Sequence, residues 1–164
     1  IILFKDQMGR LPDFLDGHQH VHAFPIINQA LQEVIQELWG RGKRPYVRDS
    51  SKLNIFSNGF FVKKIVLLLA CRGLSKKMKA IQIPTPPFFT GVYDFSPQEN
   101  YGQLVNQWLA TANDRTLMMC HPAIDSKSCF DPLHEARVNE FNYLSSAAFL
   151  TDSERLGVKL TKYS

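Results

Sequence analysis

The sequence lacks the features that mark several large classes of protein. Its longest apolar run, Ile65 to Cys71, has seven residues, whereas about 20 are needed to cross a bilayer, so we expect no membrane span. The apolar stretch at residues 1–4 is too short for a signal peptide, because Lys5 and Asp6 follow at once. Only 3 of the 164 residues are cysteine and no CxxC motif occurs. This predicts a reducing, cytoplasmic compartment rather than a disulfide framework.

Signatures of other enzyme classes are also absent. The sequence has no glycine-rich phosphate loop and no GxSxG nucleophile motif. Glu135 follows His134, but without the HExxH spacing of a zincin, and we expect His134 to be a surface or helix-capping residue. Cys120 and Cys129 lack a CxxC partner, which argues against a thiolate zinc site.

Charge is nearly balanced. The net charge is +4, from 19 Lys and Arg against 15 Asp and Glu. The positive residues cluster at 41–48 and 76–79, and runs of this kind are usually solvated faces. We therefore predict no nucleic-acid partner. The length and the 45% hydrophobic content favour a single domain over residues 1–164.

Hydrophobic periodicity predicts strands that alternate with helices. The clearest helix is 25–39, where apolar residues recur every three or four positions between Pro25 and Gly40. Alternation of this kind favours βαβ units and a parallel sheet, either a small open sheet or the C-terminal part of a barrel whose beginning is absent. The predicted strands are 13–17, 45–48, 80–83, 116–120 and 157–161, and the predicted helices are 1–9, 25–39, 58–72, 97–112 and 132–145. Helix 97–112 carries an apolar stripe: Tyr101, Leu104, Val105, Trp108 and Leu109.

Three of the five histidines lie in one short segment. If that segment is extended, Asp16, His18, His20 and His22 share one face, with about 6.6 Å between neighbours. Two imidazoles at that spacing can bind one metal ion, and the remaining histidine is left for proton transfer or substrate contact. Nitrogen and oxygen ligands admit Zn, Mn, Fe, Co or Ni. The segment follows a predicted strand, where parallel α/β folds carry their active sites.

A fourth histidine follows another predicted strand. His121 lies at the carboxyl end of predicted strand 116–120, and Pro122 ends the strand. If both strands are parallel, His121 and the histidine segment lie at the same edge of the sheet, so we expect His18 and His121 to face one cleft.

The segment Leu11–His22, which contains DGHQHVH, resembles the signature of the YdjC-like carbohydrate deacetylases, a group that includes chitooligosaccharide deacetylases. The resemblance covers nearly the whole chain. It continues through Arg48, Thr90-Gly91, Tyr93-Asp94-Phe95, His121-Pro122, Arg137, Glu140 and Gly157-Val158-Lys159-Leu160.

The resemblance implies a hydrolase with a distorted (β/α) barrel like that of the NodB polysaccharide deacetylases. Members remove acetyl groups from N-acetylated sugars and hold one divalent ion, Mg or Zn, with an Asp and two His. His18 is the best match to a ligand, with His20 next. The other two ligands belong to motifs that are not found here, so we expect an incomplete N-terminus, in line with the opening Ile1. Ala123 replaces a glycine of the family pattern, and the loop after His121 is expected to differ.

The resemblance also suggests a role for each remaining residue. His121 and His20 are the candidate catalytic acids, which protonate the leaving amine. Arg48, His22 and Arg137 are candidate substrate-binding residues, although a structural ion pair is an equal alternative for each arginine. The expected partner is a carbohydrate substrate, and a homodimer is left open. The alternative function is a truncated or degenerate homologue that keeps the fold and a partial metal site, with metal binding without catalysis lying between the two.

Overall fold

The structure, a computed structural model, divides the chain into two compact units. Unit 1 comprises residues 1–53 and 62–89, and unit 2 comprises residues 54–61 and 90–164. None of the helices in the described ranges combines the length and apolar character needed to cross a bilayer. The residues described are 1–40, 42, 44–53, 65, 67–69, 71–125 and 130–162.

Unit 1 carries short strands and helices of seven to fifteen residues. Its core is formed by apolar side chains from the helices and from the strands between them. Its elements are α1 (Ile2–Met8), β1 (Phe14–Leu15), a 3-10 helix (His18–Ala23), α2 (Pro25–Trp39), β2 (Tyr46–Val47), a 3-10 turn (Ser50–Lys52) and α3 (Leu74–Ala80).

The longest helix forms as its sequence predicts. Pro25 occupies the first turn, where its missing N–H is not needed, and the helix ends before Gly40. Ile35 and Trp39 are buried one turn apart and anchor α2 to the core of unit 1. Ile26 lies on the solvent side, so the predicted apolar face was too wide at its N-terminal end.

The strand pair of unit 1 is parallel, as predicted. Phe14 pairs with Tyr46 and Leu15 with Val47. The pairing brings the residues that follow each strand side by side, which places the histidine segment next to Arg48. Strand β3 (Phe88–Thr90) comes later, and its Phe89 forms a parallel bridge with Leu53.

Unit 2 is built on three helices that pack against one another. These are α4 (Tyr101–Ala110), α5 (His134–Leu144) and α6 (Ala147–Arg155). Strand β4 (Thr116–Met118) precedes α5, and the Met119 N–H beyond it donates to the carbonyl oxygen of Thr90. The predicted apolar stripe of α4 is confirmed, with all of its members buried: Tyr101, Leu104, Val105, Trp108 and Leu109.

Several sequence predictions fail in ways that have a physical explanation. Segment 80–83 is not a strand, because α3 runs to Ala80 and buries Leu74 and Met78 one turn apart. The strand lies instead at Phe88–Thr90, behind a run of prolines. Segment 157–161 is not a strand, and helix α6 was not predicted.

The chain is therefore a mixed α/β protein with short strands. Within the described ranges, the two sheets have two strands each, so the predicted single parallel sheet of five strands is wrong for those ranges. Most of the predicted helix 58–72 lies outside the described residues, and its described members 65 and 67–69 are helical. Arg41, Lys43 and Cys129 also lie outside them.

Candidate active site

The histidine segment of unit 1 is coiled, which overturns the prediction that it is extended. Residues His18–Ala23 form a 3-10 helix that is kinked where Gln19 and His20 adopt positive φ angles of 51° and 62°. The His20 N–H donates to the Gly17 carbonyl oxygen, and α2 begins directly after the coil at Pro25. The chain must turn in this short space, so the three imidazoles do not line up on one face.

His22 is held at both ring nitrogens by the main chain. The Gly17 N–H donates to Nδ1 at 3.0 Å, and Nε2 lies 2.8 Å from the Arg48 carbonyl oxygen. A peptide N–H only donates and a carbonyl only accepts, so the ring is neutral with its proton on Nε2. The side chain is buried, with 4% exposure for the residue. A substrate contact by His22 therefore stays a prediction that requires one of these bonds to break.

Arg48 is buried behind the same segment. Its Nη2 lies 2.7 Å from Asp16 Oδ1 and donates to the Gly17 carbonyl oxygen at 3.2 Å. The guanidinium carbon lies 5.5 Å from the ring centroid of Phe89. Burial lowers the pKa of Arg48, and the carboxylate of Asp16 opposes that effect. These contacts fix the loop that precedes His18, and a substrate-binding role for Arg48 stays a prediction.

His18 and His20 differ in their surroundings. His18 begins the 3-10 helix and is exposed. His20 is half-buried, with Nδ1 2.8 Å from the Ser50 hydroxyl and its ring edge-on to Phe89 at 6.3 Å. Of the three histidines in this segment, His18 is the exposed one.

His121 lies in unit 2, in the loop after β4. Its side chain is 38% exposed, while its Nδ1 is buried and lies 3.9 Å from Glu140 Oε1. The ring also makes an edge contact with Phe95 at 5.0 Å. The ring is therefore partly exposed, with its Nδ1 edge buried near Glu140.

Two residues of α5 form hydrogen bonds with the main chain of His121. Arg137 Nε donates to the His121 carbonyl oxygen at 3.0 Å, and its Nη1 lies 2.6 Å from Asp131 Oδ2. Glu140 accepts from the His121 N–H through one carboxylate oxygen and from the Tyr93 hydroxyl, at 2.6 Å, through the other. The predicted substrate contact of Arg137 stays a prediction, since its described bonds are made within unit 2.

Sequence reasoning gave no role to three residues that the structure brings to these histidines. Ser50 contacts His20, Phe95 contacts His121, and Glu140 bonds to the main chain of His121. Phe95 and Glu140 gave a signal beforehand, as matching residues in the family resemblance without an assigned role. His134 begins α5 and pairs with Asp125 at 3.0 Å, which agrees with the predicted surface position.

The donors for a divalent ion fit in type but not in number. Imidazole nitrogen is a usual ligand of zinc and related ions, and His18 can offer one. Within the described residues, however, no group of three or more His, Cys, Asp or Glu side chains is arranged to hold a metal ion. The described residues alone therefore do not complete such a site.

Comparison with known proteins gives one match. No curated protein and no solved structure matches the chain significantly. The sequence model of the YdjC-like protein family matches residues 1–155. The matched range contains the histidine segment, Arg48, His121 and the α5 residues that hold it. The chain is thus a member of the YdjC-like family.

Proposed function

We propose that the chain is a metal-dependent deacetylase that hydrolyses the N-acetyl group of an acetylated amino sugar or oligosaccharide. Membership of the YdjC-like family supports a carbohydrate deacetylase-like function and a dependence on a divalent metal, without specifying the substrate or the ion. We propose in addition that the substrate is N-acetylated and that the ion is Mg or Zn.

His18 is the proposed metal ligand of this chain. The observation that carries the proposal is that the three histidines of the segment differ in their contacts. His22 bonds to main-chain groups at both ring nitrogens and His20 contacts Ser50, whereas His18 is exposed. An accessible imidazole nitrogen is a usual ligand of zinc and related ions. When bound, such an ion polarises the acetamide carbonyl and lowers the pKa of a water molecule.

His121 is the proposed general acid. Amide hydrolysis requires a proton on the departing amine nitrogen, and a positioned imidazolium supplies it effectively at neutral pH. The buried Nδ1 lies 3.9 Å from Glu140 Oε1, and the side chain as a whole is 38% exposed. His20 is the second candidate acid, since Ser50 orients its ring through Nδ1. Arg48, His22 and Arg137 remain proposed substrate-binding residues.

The alternative is a non-catalytic homologue that keeps the fold and a partial metal site. One observation favours it, namely that the described residues offer fewer than three clustered ligand side chains. The two proposals differ in turnover, since a partial site binds an ion weakly without building a water nucleophile and base around it.

Acetate release from an N-acetylated chitooligosaccharide separates the two. We would measure release by this chain with added Zn²⁺ or Mg²⁺, with EDTA, and in the His18→Ala variant. EDTA-sensitive turnover that His18→Ala abolishes supports the deacetylase. Zinc binding that depends on His18 without acetate release supports the non-catalytic homologue.

A further inference from the structure

We propose that Arg137 and Glu140 act as a positioning pair for His121, fixing its main chain and favouring its protonated ring. The pair belongs to α5, one helical turn apart, and His121 lies in a separate loop of unit 2. The inference rests on the proposed function only where it treats His121 as the acid. The geometry of the pair stands independently of any substrate.

Helix α5 holds the peptide group of His121 through hydrogen bonds. Glu140 accepts the N–H of His121, and Arg137 donates to its carbonyl oxygen. The Ala123 N–H then donates to the Arg137 carbonyl oxygen at 3.1 Å, so the loop is tied to α5 at three points. A loop fastened in this way holds its side chain in one direction, which is what a proton donor requires.

Glu140 also acts on the His121 ring through its charge. Glu140 is completely buried, and Tyr93 and His121 each donate a hydrogen bond to its carboxylate. A buried carboxylate is costly unless donors and positive charge surround it. A protonated His121 ring, 3.9 Å away at Nδ1, supplies that charge, and by the same interaction the carboxylate stabilises the imidazolium.

Among the described residues, the other ionisable groups near the ring do not replace this interaction. The Tyr101 hydroxyl stays protonated, because burial and Glu140 raise its pKa. Arg137 places a positive charge at the His121 carbonyl, but Asp131 pairs with that guanidinium at 2.6 Å. The Tyr93 hydroxyl stays protonated, because burial and Glu140 raise its pKa. Cys120 precedes His121, and burial together with Glu140 raises the pKa of its thiol. Glu140 is thus the negative charge that faces Nδ1 within the described part of unit 2.

Phe95 closes the other side of the ring. It adopts a positive φ of 62°, a conformation that a bulky residue rarely takes, and its ring meets His121 at 5.0 Å while also packing on Tyr93 at 4.5 Å. With Phe95 and the α5 pair in place, the ring keeps its Nδ1 edge inward.

The test is the titration of the His121 ring, followed by nitrogen NMR of the labelled 164-residue chain from pH 4 to 9. In Glu140→Gln we expect the midpoint to fall by about one pH unit, since an opposite charge at this range favours the charged form. The matched control is Asp152→Asn, which also removes a carboxylate that accepts a tyrosine hydroxyl in unit 2, at 2.7 Å. The control should leave the midpoint unchanged.

An unchanged midpoint in Glu140→Gln, or an equal fall in Asp152→Asn, would overturn the inference. If Glu140→Gln does not fold, amide hydrogen exchange of the unmodified chain replaces it. The His121 N–H should then exchange far more slowly than an unprotected amide. Exchange at the unprotected rate would refute the hydrogen bond between this N–H and Glu140.

Activity separates this inference from the proposed function. If the midpoint falls in Glu140→Gln while no variant releases acetate, the positioning pair is upheld and the deacetylase proposal fails. If acetate is released, Glu140→Gln should lower kcat with little change in KM, and Glu140→Asp should restore part of the loss.

Discussion

The carboxylate of Asp16 and the guanidinium of Arg48 lie 2.7 Å apart, directly before the histidine segment. Arg48 is 5% exposed, whereas the Asp16 side chain is 40% exposed, so the pair joins a buried cation to a carboxylate at the surface. Removing the carboxylate takes a counter-charge away from a buried cation, which is more costly than the pair itself is worth.

Asp16→Asn should therefore destabilise the chain by about 1–3 kcal/mol in urea unfolding. Asp13→Asn is the matched control, since its pair with Arg10 has the same 2.7 Å separation but both side chains are exposed. That control should cost about 0.5 kcal/mol or less. Equal losses in the two variants would contradict the importance of burial here.

Replacement of Gly91 should be strongly destabilising. Its φ is +96°, and a Cβ at this position would lie 2.2 Å from the carbonyl oxygen of Met119. We expect Gly91→Ala to cost at least about 3 kcal/mol, since backbone strain and a clash with main chain add together. Gly73→Ala is the control, with a similar φ of +88° and no neighbour within 4 Å, and should cost about 1–2 kcal/mol. The difference in thermal unfolding between the two variants isolates the clash.

Acid should weaken unit 2 through Asp152. Hydrogen bonds from Asn106, Tyr143 and Arg155 lower the pKa of Asp152 to about 2, below the value of about 3.9 expected when unfolded. The folded chain then binds fewer protons than the unfolded one between these values, so stability is lost as the pH falls from about 4 to about 2. Asp152→Asn should flatten this part of the stability profile, whereas Asp114→Asn, at a highly exposed carboxylate, should leave its slope unchanged.

Zinc binding should depend on one histidine. Calorimetric titration with Zn²⁺ or Co²⁺ is expected to show weak binding, because the described residues bring together too few ligands, and His18→Ala should abolish it. His134→Ala is the control, since that ring is paired with Asp125 elsewhere in the chain. Unchanged binding in His18→Ala would refute the assignment.

The helices with strong local signals were predictable from the sequence. Helix α2 begins at Pro25 and ends before Gly40 as expected, and the stripe of α4 is buried as expected, because side-chain periodicity alone decides which face packs inward. Helix α6 was missed because its apolar residues are confined to 147–150 and do not recur every three or four positions. An apolar signal that sparse does not distinguish a helix from a loop.

The predicted shape of the histidine segment was wrong. The positive φ of Gln19 and His20 has no signature in residue type, so an extended segment was the natural expectation. Contacts at the candidate site join residues that are far apart in sequence, such as His121 with Glu140, 19 positions apart, and His20 with Ser50, 30 positions apart. Contacts of this range depend on tertiary packing, which periodicity does not report.

The closeness of Gly17 to His22 has an evolutionary consequence. A Cβ on Gly17 would lie 2.8 Å from the main-chain nitrogen of His22 and 2.9 Å from its Nδ1. Any larger residue at position 17 therefore displaces the His22 ring, to which the N–H of residue 17 donates. A change at either position removes the hydrogen bond and the close contact that restrict the residue at the other position. Among related sequences, positions 17 and 22 should therefore vary together, and a histidine at 22 should accompany glycine at 17 far more often than chance pairing allows.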